Sequence, residues 1–148
     1  MVETHTLILQ SAQALVTDLF RNKVNENVRF HTIDHTREVV EACQRMAEHY
    51  QLPEDDRFAL LLAAWFHDTG YSSGQARDHE TVSLKLATDF LTAHSIHGDL
   101  TGKVIGCINA TRLPQNAATT IEGSFVMLTC STLARMLLKK SPACCGKN

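Results

Sequence analysis

The sequence has no excess of basic residues and no long apolar run. Its 14 Lys and Arg residues are balanced by 16 Asp and Glu, which gives a formal net charge of −2. A protein that coats nucleic acid shows a clear basic excess, so general nucleic-acid binding is not expected. No stretch approaches the length of a membrane span, and the N-terminus lacks the basic-then-apolar layout of a signal peptide. We therefore expect a soluble, cytoplasmic protein with no membrane partner.

The cysteines do not form a recognisable framework. There are five of them, an odd number, and no pair has the Cys-x-x-Cys spacing of a zinc knuckle. Neither a set of disulfides nor a cysteine-based zinc site is indicated, and we expect reduced thiols.

Stretches that alternate apolar and polar residues, as strands do, are also missing. Apolar residues recur instead at helical spacing through nearly the whole chain, which predicts an all-α fold of about five to six helices. At 148 residues the chain fits one domain.

Two of the predicted helices bring polar residues into the core. The second helix is expected to begin around Asp34, whose carboxylate can cap it. His35 lies one turn before Val39 on the apolar face of that helix, so it should point inward.

The third predicted helix is the most hydrophobic. It begins at Pro53 and a run of acids, which suit a helix start. Its residues 58–66 are apolar on all sides, and it ends at His67 and Asp68, before Gly70. An adjacent His-Asp pair is weak evidence on its own and also fits a simple helix end. Two imidazoles and a carboxylate near one core, however, need partners, and a metal ion satisfies all three.

These residues belong to a larger ordered set. The matching stretches are FHTIDHTREVV at 30–40, AAWFHDTGY at 63–71, His79-Glu80 with Ser83, and ATRLPQ at 110–115. In this order they resemble the HD-domain metal-dependent phosphohydrolases, in particular the small stand-alone bacterial branch. The resemblance implies an HD-like helical bundle and a phosphohydrolase that acts on a nucleotide or other small phosphate ester.

The resemblance also implies roles for individual residues. His35, His67 and Asp68 resemble the metal ligands, and Asp68 would also orient a metal-activated water. His31 is similar to a histidine that some relatives use as proton donor to the leaving oxygen. His79 resembles an additional contact to metal or phosphate. The implied cofactor is a divalent ion, one of Mn²⁺, Fe²⁺, Mg²⁺, Ni²⁺, Co²⁺ and Zn²⁺, because nitrogen and oxygen donors suit all of these.

Phosphate-binding residues are less clearly marked. Arg37, Arg77, Lys85 and Arg112 are candidates because cations bind phosphate oxygens, although each also fits a solvated surface charge. The other four histidines match nothing in the family pattern and are expected at the surface. They are His5, His49, His94 and His97.

The last absence is that of acidic residues near the end of the sequence. The family pattern has an aspartate in a downstream Cys-Asp-Ala-Asp-Leu segment, whereas this chain has no Asp or Glu after Glu122. We therefore divide the chain into a core at 1–122 and an atypical tail at 123–148, and we hypothesise that a reading-frame change produced the tail.

The missing acid leaves two functions open. One is an active phosphohydrolase, and the other is an impaired remnant that acts as a binding or oligomerising helical domain. Apolar tail residues such as Phe125 and Val126 should either expose apolar surface and drive homo-oligomerisation, or belong to a disordered tail beyond about Gly123.

Overall fold

The computed structural model describes residues 2–23, 32–73, 78–111 and 118–139, with side chains throughout except at 23, 72–73 and 130–139. Within these ranges the chain is helical and contains no strand, which confirms the all-α prediction. The elements in order are α1 (Val2–Lys23), α2 (Ile33–His49), α3 (Glu54–Phe66), a 3₁₀ turn (Thr69–Ser73), α4 (His79–Ala93), α5 (Asp99–Ala110) and α6 (Thr120–Lys139).

The first turn of α2 is capped by Thr32, not by Asp34. Thr32 has extended backbone angles, and its side chain accepts a hydrogen bond from the backbone N–H of His35. Asp34 is already inside the helix and exposed, where its charge complements the positive helix end. The prediction of Asp34 as the cap was wrong because threonine and aspartate serve this position about equally well.

Helix α3 is the centre of the bundle. Every residue from Phe58 to Phe66 is buried, and the helix packs against α1, α2 and α5. Helix α3 begins directly after Pro53, as predicted, and the acids Glu54, Asp55 and Asp56 lie in its first turn. Because no face of α3 meets water from Phe58 onward, the residues that follow its last turn are delivered directly into the core.

Helix α6 crosses the predicted boundary between core and tail. Its start is fixed by Thr119, whose hydroxyl accepts from Glu122 N–H, and by Glu122, whose carboxylate accepts from Ala118 N–H. The helix then continues to Lys139. Phe125 is fully buried within it, so the expectation of an exposed Phe125 was wrong. The division at residue 122 stays a prediction.

His5 is buried, which corrects its expected place at the surface. Its ring stacks on Phe58 with a centroid distance of 4.1 Å, and its Nδ1 lies 3.3 Å from Glu54 Oε1. The pairing joins α1 to the first turn of α3. His49 and His97 are exposed as predicted, and His94 is half-buried.

A search of the described residues for a helix long and apolar enough to cross a membrane found none.

Candidate metal centre

Three residues from two helices converge in the core. His35 comes from the first turn of α2, while His67 and Asp68 follow the last turn of α3. All three are buried, with 2%, 3% and 5% of their surface exposed. Their donor atoms lie within 4.8 Å of one another. The sequence therefore placed these residues correctly at two helix ends that face one core.

The carboxylate of Asp68 lies between the two imidazoles. Its Oδ2 is 3.4 Å from Nε2 of His35 and 3.3 Å from Nε2 of His67. Two donors that each bind one ion at about 2.1 Å, at a tetrahedral angle, stand about 3.4 Å apart. The spacing of the Asp68 carboxylate from each imidazole thus matches that of two ligands around one metal ion.

The orientation of His67 is set by a hydrogen bond on the far side of its ring. Nδ1 lies 2.7 Å from the carbonyl oxygen of Ala64, and since a carbonyl only accepts, Nδ1 carries the proton and donates. Nε2 then holds the lone pair. This atom is buried and makes no hydrogen bond of good geometry among the described residues, although the charged Oδ2 of Asp68 lies 3.3 Å away. A buried nitrogen acceptor without a donor is costly, and a metal ion is the partner that its lone pair fits.

The protonation of His67 reflects two opposed effects. Burial, the largest single effect, lowers the pKa of His67, but the close negative charge of Asp68 and the hydrogen bond to Ala64 together outweigh it, so the pKa is raised. The site therefore favours positive charge beside the Asp68 carboxylate. A divalent cation supplies that charge as well as a proton does.

The turn after α3 is tightly held. The hydroxyl of Thr69 donates to the carbonyl of Phe66. Gly70 N–H donates to Ser83 Oγ at 2.8 Å, and the Ser83 hydroxyl donates to the carbonyl of His67 at 3.0 Å. A side chain at Gly70 would overlap the backbone of His79. Close approach of α4 thus fixes the segment that carries His67 and Asp68.

His79 lies next to the cluster without belonging to it. Its ring stacks on Tyr71 at a centroid distance of 4.1 Å, and its Nδ1 is 3.2 Å from Glu80 Oε2. The pKa of Tyr71 is raised well above its usual value, first by burial and then by the negative charges of Asp68 and Glu80. Tyr71 therefore connects the surroundings of His79 to Asp68. A direct role for His79 toward metal or phosphate stays a prediction.

The described phosphate candidates lie at the surface. Arg37 is exposed and lines a depression whose other charged residues are Asp34, Glu38 and Glu41. Lys85 is exposed and its Nζ lies 2.8 Å from Asp89. Their assignment to phosphate stays a prediction. Two further phosphate candidates, Arg77 and Arg112, lie outside the described residues. The expected proton donor, His31, lies outside them as well.

Phe125 is the neighbour of the cluster that the sequence did not predict. Its ring packs edge-on against the imidazole of His67, with the centroids 5.6 Å apart. The signal that could have found it is the spacing of Phe125, Leu128 and Thr129, which puts all three on one face of α6. Ser83 was part of the recognised pattern, but its bonds to both ends of the turn were not foreseen.

A separate cavity lies between the first turn of α3 and helix α6, and none of the three cluster residues lines it. Its volume is about 840 Å³, and apolar side chains such as Met46, Leu52, Ile121 and Leu128 line much of it. Asp56, in the first turn of α3, also lines it. Ten residues of helix, about 15 Å, separate Asp56 from Phe66 at the end that carries the cluster. The cavity is therefore not part of the candidate metal centre.

The fold and the site define an all-α domain with a buried His-His-Asp cluster that can hold a metal ion. The model of the HD domain family matches residues 32–135. The chain thus belongs to the HD domain family, whose members are generally metal-dependent hydrolases. Neither a curated protein nor a solved structure matches the chain at a significant level.

Proposed function

We propose that the chain is a metal-dependent phosphohydrolase that acts on a nucleotide or another small phosphate ester. The observation that carries the proposal is the convergence of His35, His67 and Asp68, with Nε2 of His67 buried and without a hydrogen bond of good geometry among the described residues. Family membership supports the class of reaction.

Each residue of the cluster has a distinct task in this proposal. His35, His67 and Asp68 would hold a divalent ion, which when bound lowers the pKa of water and neutralises charge on phosphoryl oxygens. The bond from His67 Nδ1–H to Ala64 keeps Nε2 directed into the cluster. Asp68 also offers its carboxylate as hydrogen-bond acceptor for the attacking water. His31, four residues before His35 in the sequence, is proposed to give a proton to the leaving oxygen.

Substrate recognition needs cations near the phosphate. We propose Arg77 and Arg112 as the main candidates, because Arg112 belongs to the ATRLPQ stretch of the family resemblance and Arg77 lies two residues before His79 in the sequence. Arg37 and Lys85 are weaker candidates, since Arg37 stands among carboxylates and Lys85 is already paired with Asp89. We also propose that His79, whose ring stacks on Tyr71, contacts the metal or the substrate phosphate.

A second function, a catalytically impaired domain that binds or oligomerises, is favoured by Phe125. The segment that corresponds to the family's aspartate, residues 125–133, contains no acid, and it brings the apolar ring of Phe125 against His67. An ion with one protein ligand fewer is held less firmly, and its surroundings orient water less well. We therefore expect any hydrolysis to be slow.

The test is a hydrolysis assay with a panel of nucleotides and phosphomonoesters, each with Mn²⁺, Mg²⁺ or Ni²⁺. We expect turnover below about 1 s⁻¹, the lower end of the ordinary enzyme range, and its loss in Asp68→Asn. Asp89→Asn, an exposed carboxylate on α4, is the matched control and should keep it. Equal turnover in Asp68→Asn and wild type would contradict the proposed site. No turnover with any combination would favour the impaired domain.

A further inference from the structure

We propose that Ser83 is a positioning residue of the metal centre, whose hydroxyl fixes the turn that carries His67 and Asp68. The inference rests on the proposed metal-binding function and adds a residue from α4, a helix that supplies none of the three ligands.

The hydroxyl of Ser83 joins the two ends of this turn. It accepts from Gly70 N–H at 2.8 Å and donates to the His67 carbonyl at 3.0 Å. Asp68 and Thr69 lie between these two bonded residues. Ser83 itself is fully buried, so water does not replace it. A single side chain thus bridges the backbone on both sides of Asp68.

The Ser83 hydroxyl both accepts and donates a hydrogen bond here, and an alanine side chain can do neither. The last carbonyls of a helix lack partners within that helix, and the carbonyl of His67 accepts from Ser83 at this point. Without the hydroxyl, the His67 carbonyl and the Gly70 N–H each lose a hydrogen bond inside the protein. The cheapest relief is a rotation of the peptide units in the turn, which would displace the Asp68 carboxylate.

The packing of α4 distinguishes Ser83 from the other buried residues of this helix. The buried residues of α4 are Ser83, Ala87, Phe90 and Leu91, and Ser83 alone of the four is polar. Ala87, Phe90 and Leu91 join the hydrophobic core, whereas Ser83 faces the turn. The first residue of α4, His79, already touches Gly70 through its backbone. Helix α4 therefore approaches the turn closely enough for the short side chain of Ser83 to make both bonds.

The experiment compares Ser83→Ala with Ala87→Gly, one helical turn further along the same buried face. Both substitutions should lower the melting temperature. Ser83→Ala removes two hydrogen bonds, and Ala87→Gly weakens the helix because glycine is a poor helix former. Binding of Mn²⁺ is then measured by titration. We expect the dissociation constant to rise about tenfold in Ser83→Ala, as for other residues that orient metal ligands, and to change less than twofold in Ala87→Gly.

A second readout does not need the metal. In the metal-free protein, NMR of the His67 ring should show the form protonated at Nδ1, and the Gly70 amide should exchange slowly with solvent. In Ser83→Ala we expect a mixture of ring forms and faster exchange at Gly70, and in Ala87→Gly neither change.

The outcomes separate the two proposals. If wild type does not bind Mn²⁺ but Ser83→Ala still alters the His67 ring, the metal function fails and the positioning role stands. If Ser83→Ala keeps both the affinity and the ring form of wild type, the positioning role is wrong and the metal function stands. Equal losses of affinity in Ser83→Ala and Ala87→Gly would also overturn the positioning role.

Discussion

The imidazole of His67 packs edge-on against the ring of Phe125, at a centroid distance of 5.6 Å and an interplanar angle of 89°. The ring of His35 also lies 5.6 Å from that of His67, centroid to centroid. Phe125 is fully buried. Helix α6 thus touches the candidate metal centre with an apolar side chain, next to the nitrogen-bearing ring that α3 supplies.

Phe125→Asp places a carboxylate beside His67 and tests this relationship. Without metal, we expect the free energy of unfolding to fall by about 3–5 kcal/mol, because a buried aromatic ring is lost. With Mn²⁺, we expect binding about tenfold tighter than wild type, because the carboxylate offers a further oxygen ligand. Both quantities are measured on the same samples, by urea unfolding and by metal titration.

Phe125→Leu is the control for this substitution. It keeps an apolar side chain, so it should lose less stability and bind Mn²⁺ as wild type does. If Phe125→Asp binds no more tightly than Phe125→Leu, Phe125 does not stand beside an open coordination position.

Gly70→Ala should disrupt the turn that carries the cluster. Its new methyl group would overlap the carbonyl group of His79, which is backbone and cannot swing away. We expect a loss of more than about 2 kcal/mol in urea unfolding, from the forced shift of α4. Gly102→Ala is the matched control, because nothing lies within 4 Å of the added carbon there. It should gain roughly 0.5–1 kcal/mol as a helix position. Equal stability of Gly70→Ala and wild type would refute the close approach.

Alkaline pH should weaken the fold through two buried thiols. Burial raises the pKa of Cys107 from 9.0 to about 12, helped by Glu122 and Asp56. Burial, with the nearby Cys107, raises the pKa of Cys43 further. The native thiols keep their protons where the unfolded thiols lose them. Stability is therefore fully present below pH 9 and declines above it, by about 1.4 kcal/mol per pH unit for each thiol.

Urea unfolding at pH 8, 9 and 10 under reducing conditions measures this decline. In Cys107→Ala the slope between pH 9 and 10 should be smaller by the contribution of one thiol. A flat profile in wild type would show that these cysteines reach solvent in the native state.

The reading-frame hypothesis concerns the coding DNA. We propose that a shift by one base within codons 122–126 restores a longer open frame that encodes a Cys-Asp-Ala-Asp-Leu segment. Sequencing of the gene and its flanks tests this directly. Stop codons met at once in the shifted frame would show that residues 123–148 are native to this protein.

The helices were predictable because each buries one face, or in α3 every face, and that pattern is local in the sequence. Helix α3 is the clearest case, with acids at its start and nine buried residues after them. The burial of His5 was not predictable in this way. Its partners Glu54 and Phe58 lie some fifty residues away in the chain, and only tertiary packing brings them together.

The candidate site likewise has a part that could be predicted from the sequence and a part that could not. His35, His67 and Asp68 could be named from helix ends and an apolar face. The contact of Phe125 with His67 and the bonds of Ser83 to the turn depend on how α4 and α6 pack, which no local pattern encodes. The distances that make the cluster fit a metal ion, 3.3 and 3.4 Å from Asp68 to the two imidazoles, likewise follow only from the folded chain.

The central claim is that His35, His67 and Asp68 bind a divalent metal, and metal content after purification without chelator tests it most directly. Elemental analysis should find metal in wild type and a loss of most of it in His67→Ala. His5→Ala, which also removes a buried histidine but lies outside the cluster, should retain it. Equal metal in wild type, His67→Ala and His5→Ala would contradict the account.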